Sequence, residues 1–252
     1  MERRHVFDTI ASQYDRFRPG YPGEVMDRIV SLSGVTARSR ILEVGPGTGQ
    51  ATRLLVARGL PVVCLEEGEH LARQLRETFA THAGVQVEQI SFEDWPEPRA
   101  PFDLLLAAQS FHHLDRAIRL KKAARLLAPD GSLALIWNIP VPGDTELAHA
   151  VEAVYRKHGA HVRATSSTDA HELETEVAES GLFQSPDIIR LRWHQSYESA
   201  EYIGLLATHS DHALLPESER SELLGAVARV VDEHGGVIEV HRETYLYHAK
   251  VR

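Results

Sequence analysis

Ile41-Leu42-Glu43-Val44-Gly45-Pro46-Gly47-Thr48-Gly49-Gln50 is the stretch on which the fold turns. An apolar run closes on an acidic residue, and three glycines follow at alternate positions. Ala51 to Leu60 then reads as a helix. Strand, glycine turn and helix let a backbone approach a nucleotide closely and set a helix N-terminus beside it. A purely structural turn carries the same glycines, so the trio alone leaves both readings open. A dinucleotide fingerprint has the form G-x-G-x-x-G. Counted from Gly45 and Gly47, its third glycine falls at position 50, which is Gln; here the glycine is at 49.

Downstream of this turn the pattern alternates. Pro61 to Leu65 reads as a strand, Leu71 to Phe79 as a helix and Val85 to Ile90 as a strand. Phe102 to Ala108 is a continuous apolar run broken only by Asp103, as in a strand buried on both faces. Ala117 to Leu127 reads as a helix that stops at Pro129-Asp130-Gly131, and Ser132 to Trp137 as a further strand. Such alternation with short connections predicts a mostly parallel sheet with helices on both faces. Upstream, Phe7, Ile10, Ala11 and Tyr14 have helical spacing, Arg18 to Pro22 is a break, and Glu24 to Leu32 resumes a helix. Beyond Asn138 helices are expected at 144–157, 169–179, 199–209 and 216–233. Strands at 188–197 and 237–251 complete an antiparallel sheet edge.

Three further segments sit where such a sheet would present them to a ligand. Glu66 closes the second strand, 21 residues after Gly45, where a carboxylate can accept hydrogen bonds from ribose hydroxyls. The alternative is a solvated acid at a helix start. Ser91-Phe92-Glu93-Asp94-Trp95 leaves the third strand with an aromatic ring, a hydroxyl and acids, a set suited to adenine, or else a plain loop exit with Trp95 as core. Gln109-Ser110-Phe111-His112-His113 leaves the fourth strand, so one or both His face a ligand or simply pack.

The bulk numbers restrict the partners. The chain has 252 residues and a net charge of −9, and only four of its 27 basic residues are Lys, with no basic stripe, so nucleic acid is not expected. Cys64 is the single cysteine, which excludes a disulfide within one chain and fits a reducing compartment. No apolar leader or membrane-length run is seen, so a soluble cytoplasmic monomer or homodimer without a membrane partner is expected. The pairs His158/His161 and His209/His212 have spacing that metal sites use, but with 15 His in the chain such pairs arise by chance, and no metal is expected.

Taken together, residues 41–50, 62–67, 90–96, 102–115 and 126–138 resemble the successive motifs of the class I S-adenosylmethionine-dependent methyltransferases. The opening Phe7-Asp8, Ala11, Tyr14-Asp15, Arg18-Pro19 and Tyr21-Pro22 is similar to the branch of trans-aconitate methyltransferase-like enzymes. The resemblance implies a Rossmann-like α/β fold with a helical cap and S-adenosyl-L-methionine as cofactor. It implies a cofactor-binding core over 1–138 that includes N-terminal cap helices. Residues 139–252 would be a helical substrate cap with the last two strands, all in one continuous fold. It places Gly45, Gly47 and Gly49 under the methionine part, with Glu43 orienting the turn. It gives Glu66 the ribose, Ser91 and Phe92 the adenine and Gln109 the amino acid end, with Tyr14 and Arg18 closing over the methionine. Many relatives have Asp where this chain has Ser91, so Asp94 is an alternative adenine acceptor. The expected activity is methyl transfer to a carboxylate or hydroxyl of a small molecule, with His112 or His113 as base where a proton must leave. A nicotinamide-dependent oxidoreductase and a non-catalytic cofactor-binding protein are the rival readings.

Overall fold

The computed structural model describes residues 16–158 and 167–252, with backbone alone at 167–169 and 210. Tyr14 and the rest of the opening motif through Asp15 lie outside the described residues. Helix α1 spans Gly23–Ser33 and buries Val25, Met26 and Ile29. Then come β1 (Ile41–Val44), α2 (Gln50–Val56), β2 (Val62–Leu65), α3 (Glu69–Thr78), β3 (Val85–Glu88) and β4 (Phe102–Ala108). A 3-10 turn covers Phe111–His113 and α4 covers Arg119–Leu126. The rest is β5 (Leu127–Pro140), α5 (Glu146–His158), α6 (Ser167–Ser180), β6 (Asp187–Glu198), α7 (Ser199–Ala207), α8 (Ser210–Ala213), α9 (Glu217–Glu233) and β7 (Val237–Lys250). Among the described residues no helix is long and apolar enough to cross a membrane.

The seven strands lie in the order β3-β2-β1-β4-β5-β7-β6. β1 pairs in parallel with β2 and β4, β2 with β3, and β4 with β5. The sheet is mostly parallel with an antiparallel edge, a Rossmann-like class I arrangement. From β1 the chain winds outward through β2 and β3, then returns to lay β4 on the other side of β1. The strand order therefore reverses between β1 and β4. Ligands of open α/β sheets bind outside the carboxyl ends of the strands at such a reversal. Three parallel neighbours end there, and Gly45, Glu66 and Gln109 are the first residues after β1, β2 and β4.

The apolar pattern explains why these strands form. β1 is buried along its whole length, and Leu104, Leu105 and Leu106 of β4 are fully buried. Removing apolar surface from water on both faces is worth about 2 kcal/mol per such side chain. α3 turns Leu71, Ala72 and Leu75 inward, the 3.6-residue stripe its sequence predicts. Cys64 of β2 is fully buried, and burial first, then the Glu43 charge, pushes its thiol well above the ordinary range.

Several element ends differ from expectation by a few residues, and the start of β5 differs most. Pro129-Asp130-Gly131 reads as a break before a strand at Ser132, yet β5 begins at Leu127. Leu127 pairs with Phe102, and the ladder shifts register between Phe102 and Leu104. Asp130 takes up the extra length with φ 63°. A Cβ on Gly131 would lie 2.8 Å from the Ala128 carbonyl oxygen, so only glycine fits there. The turn signal is real, but it marks a bulge inside a strand rather than its start.

The chain divides into two compact units. The glycine-turn unit comprises Gly20–Asn138, Ser167–Leu191 and Thr244–Arg252. Its core joins α1, α2, α3 and the first strands through residues such as Met26, Leu55, Leu75 and Leu104. The helical unit comprises, among the described residues, 16–19, 139–158 and Arg192–Glu243. Its core is built from Val151, Tyr197, Leu205, Leu206, Leu223, Val227, Val231 and Ile238.

Candidate functional site

The glycine turn is held from both sides. Gly45 takes φ 64°, Gly47 59° and Gly49 93°, a region that L side chains enter at a cost of order 1–2 kcal/mol. Gly45 N–H donates to the Leu65 carbonyl at 2.9 Å, which ties the turn to the end of β2. From the other side Ser110 donates its hydroxyl to the Val44 carbonyl at 2.5 Å. A Cβ on Gly45 would lie 2.6 Å from the Ser110 Cβ, so the closeness of this packing itself demands glycine.

Glu66 meets the same turn. Its Oε2 accepts from Gly47 N–H at 3.0 Å and its Oε1 from Gly68 N–H at 3.0 Å. A carboxylate oxygen can accept more than one hydrogen bond, so a backbone N–H does not by itself saturate it. The residue is 6% exposed, so these two backbone donors offset the cost of burying its charge.

Glu43 lies deeper, 1% exposed. Its Oε2 accepts from the Thr52 hydroxyl of α2 at 2.7 Å. Its Oε1 is buried and has no hydrogen-bond partner among the described residues. Burial raises its pKa to about 7; the Thr52 donor opposes this and the Glu66 charge adds to it. Two carboxylates thus flank one glycine turn, and the inner one is short of positive charge.

Gln109 extends the strain to β4. It is one of two non-glycine residues with positive φ among the described residues, at 58°. Its N–H donates to Ile136 O at 2.8 Å and its side-chain amide to Asn138 O at 3.3 Å. Asn138 is itself pinned, donating to Gly20 O at 3.0 Å and accepting from the Thr244 hydroxyl at 2.6 Å. Backbone strain of this sort concentrates at binding sites.

The loop after β3 is closed on itself. The Ser91 hydroxyl donates to Asp94 Oδ2 at 2.8 Å, and Asp94 N–H donates back to Ser91 Oγ at 3.0 Å. The two candidate adenine acceptors therefore form one hydrogen-bonded pair. Phe92 is 2% exposed with the Lys122 ammonium 5.5 Å from its ring centre. Lys122 donates to the carbonyls of Glu93 and Trp95 at 2.9 and 2.6 Å, and burial lowers its pKa. His112 and His113 lie with ring centres 4.0 Å apart in the 3-10 turn, their planes tilted by 51°. Arg119 anchors that turn: it donates to the carbonyls of Phe111 and His112 at 3.3 Å and pairs with Glu176 at 2.5 Å.

Sequence spacing does not reveal Lys122, Arg119, Glu176 or Asn138. Each supports the site through partners 7 to 118 positions away, and only the fold sets such pairings.

The helical unit is described by itself. Arg18 donates to the Thr208 carbonyl at 2.9 Å. Arg242 is 5% exposed, with its guanidinium 5.4 Å from both the Trp193 and Tyr197 ring centres. Burial lowers its pKa, and among the described residues it has no carboxylate partner. His209 is pushed well below the ordinary range by burial, and His212 to about 4 by burial first. Tyr155 OH lies 2.7 Å from His212 Nε2. His161 lies outside the described residues; His158 pairs with Glu222 at 3.2 Å.

A parallel sheet reversing at β1 and β4, with an acid-flanked glycine turn at the reversal, is the arrangement of the class I methyltransferase fold, and part of the chain is similar to known methyltransferases. The family described as methyltransferase domain matches residues 41–131, the stretch from β1 into β5. An uncharacterized methyltransferase of Mycobacterium tuberculosis is 34% identical over 134 residues, 52% of this chain and 51% of that protein. The 27-O-demethylrifamycin SV methyltransferase of Amycolatopsis mediterranei is 32% identical over 163 residues, 62% of this chain and 58% of that protein. The chain thus spans about half the length of the curated relatives it matches. Among solved structures, a proposed type II methyltransferase of Anaeromyxobacter dehalogenans aligns over 93% of this chain and 98% of its own. Its TM-score is 0.67 at 22% identity, which speaks for the fold.

Proposed function

We propose that this chain transfers a methyl group from S-adenosyl-L-methionine to an oxygen of a small-molecule acceptor, a carboxylate or a hydroxyl. The observation that carries this reading is the pair Glu43 and Glu66 at one glycine turn. A ligand with a positive charge and ribose hydroxyls complements it on both counts. Glu66, held by the N–H groups of Gly47 and Gly68, is preset to accept from the ribose. The buried Glu43 gains a counter-charge from a cation bound near the turn. Gln109 offers its amide at the end of β4 for the amino acid group.

The cofactor supplies a methyl on a sulfonium, which is already activated. The remaining work falls to this chain: holding the reactants in line and excluding water. A carboxylate acceptor is ionised at neutral pH and needs only placing. A hydroxyl must lose a proton, and His112 or His113 is the residue type for that step. One comparison supports oxygen as the acceptor atom: the Amycolatopsis relative is named for an oxygen position of its substrate.

Calorimetry with S-adenosylhomocysteine tests the reading. Micromolar binding is expected, and Glu66→Ala should weaken it at least about tenfold while the far-ultraviolet spectrum stays unchanged. Folded wild-type protein that gives no heat would sink the proposal. A screen of acids, phenols and amines for release of S-adenosylhomocysteine then separates the acceptor classes.

A further inference from the structure

We propose that His194, Glu239 and His241 form a binding site for a zinc-class divalent metal ion. Glu239 and His241 are alternate residues of β7 and so share one face of the strand. His194 stands on β6, the neighbouring strand. The carboxylate lies between the two rings. His241 Nε2 is 2.7 Å from Glu239 Oε1, and His194 Nε2 is 3.7 Å from Oε2. The three donor atoms all lie within 4.8 Å of one another. Ligands about 2.1 Å from a tetrahedral zinc sit roughly 3.4 Å apart, so small side-chain rotations bring all three onto one ion. Among the described residues this is the one group of three or more His, Cys, Asp and Glu that meets that spacing.

Stability does not explain the arrangement. The side chains are 61%, 48% and 45% exposed, and exposed ion pairs contribute little. Two imidazoles gathered on one carboxylate are instead a three-ligand His2Glu set, which leaves a fourth coordination position open. Imidazole selects zinc, copper, nickel or cobalt over magnesium and calcium, which prefer all-oxygen shells.

The surroundings favour a usable site. The same three residues help line a cavity of about 580 Å³ in the helical unit, together with Trp193 and Arg242. A ligand at the open position would have room. The backbone beneath is fixed: the His241 carbonyl accepts from Val141 N–H at 3.0 Å. The neighbouring cation Arg192 is engaged with Glu243 at 3.2 Å.

Untagged, chelator-treated full-length protein is titrated with zinc chloride by calorimetry. One site per chain is expected, with cobalt giving the visible absorption of a low-coordinate complex and magnesium giving no heat. His194→Ala and His241→Ala should each weaken zinc about tenfold or more. The wild-type protein supplies a check that needs no variant: zinc should protect His194 and His241 from diethylpyrocarbonate, mapped by mass spectrometry. Absence of zinc binding, zinc affinity unchanged in the His194→Ala/His241→Ala double variant, or protection confined to other histidines would overturn the site.

Discussion

Glu43 shows how much one side chain can tie stability to pH. The folded state holds its proton more tightly than the unfolded chain does, because ionising it means placing a charge in the core. Its contribution is therefore fully present below about pH 4.5 and is lost as the pH climbs through about 7. That interval corresponds to about 3 kcal/mol. Glu43→Gln has no proton to lose. In denaturant titrations its stability relative to wild type should rise between about pH 5 and pH 8 in the absence of ligand. A constant difference across that range would mean that Glu43 stays ionised in the folded chain. At this scale the sequence was informative where chemistry is local. Glu43, Gly45, Gly47 and Glu66 follow from an apolar run, a glycine trio and a 21-residue interval. Arg119 and Glu176, 57 positions apart, do not, because no period or spacing encodes a contact made by the fold.

Among the elements, β4 and β5 mark the two ends of legibility. Phe102–Ala108 was readable to the residue, since burial on both faces leaves an apolar run interrupted only by Asp103. β5 was read from Ser132 but starts at Leu127, because turn residues in a bulge look the same as turn residues in a loop. The glycine turn between β1 and α2 is the element most exposed to substitution. Gly45→Ala would have to relieve a 2.6 Å approach to Ser110 and also adopt φ 64°. A loss of about 2–3 kcal/mol in urea unfolding is expected. Adding Ser110→Gly removes the clash and leaves the dihedral, so only partial recovery should follow. Full recovery would show that the dihedral carries no cost.

The molecule as a whole is less modular than its chain order implies. The glycine-turn unit is assembled from three separate segments, the last of them Thr244–Arg252. That segment buries Tyr245, Leu246, Tyr247 and Ala249, and α6 adds Ala170, Leu173 and Val177. Sequence alternation ends at Asn138, and the last two strands read as an added sheet edge. A fragment of residues 20–138 would lack these buried side chains, worth roughly 1–3 kcal/mol each, and would leave β5 unpaired on one side. It should give poorly dispersed amide resonances and aggregate, whereas the full chain folds. A well-dispersed spectrum from the fragment would show that the late segments are dispensable.

Cys64 turns this architecture into a clock. Its sulfur sits at zero exposure on β2, one strand in from the sheet edge, with a thiol that resists ionisation. A thiol reagent can reach it only through molecules that have opened, so the labelling rate reports how often the sheet comes apart. A compound that binds only the closed form slows that rate by one plus the ratio of its concentration to its dissociation constant. At about a hundred times its dissociation constant the delay is about a hundredfold. The lone cysteine of the chain thus allows ligands to be ranked by a colour change, with no substrate known and no residue altered.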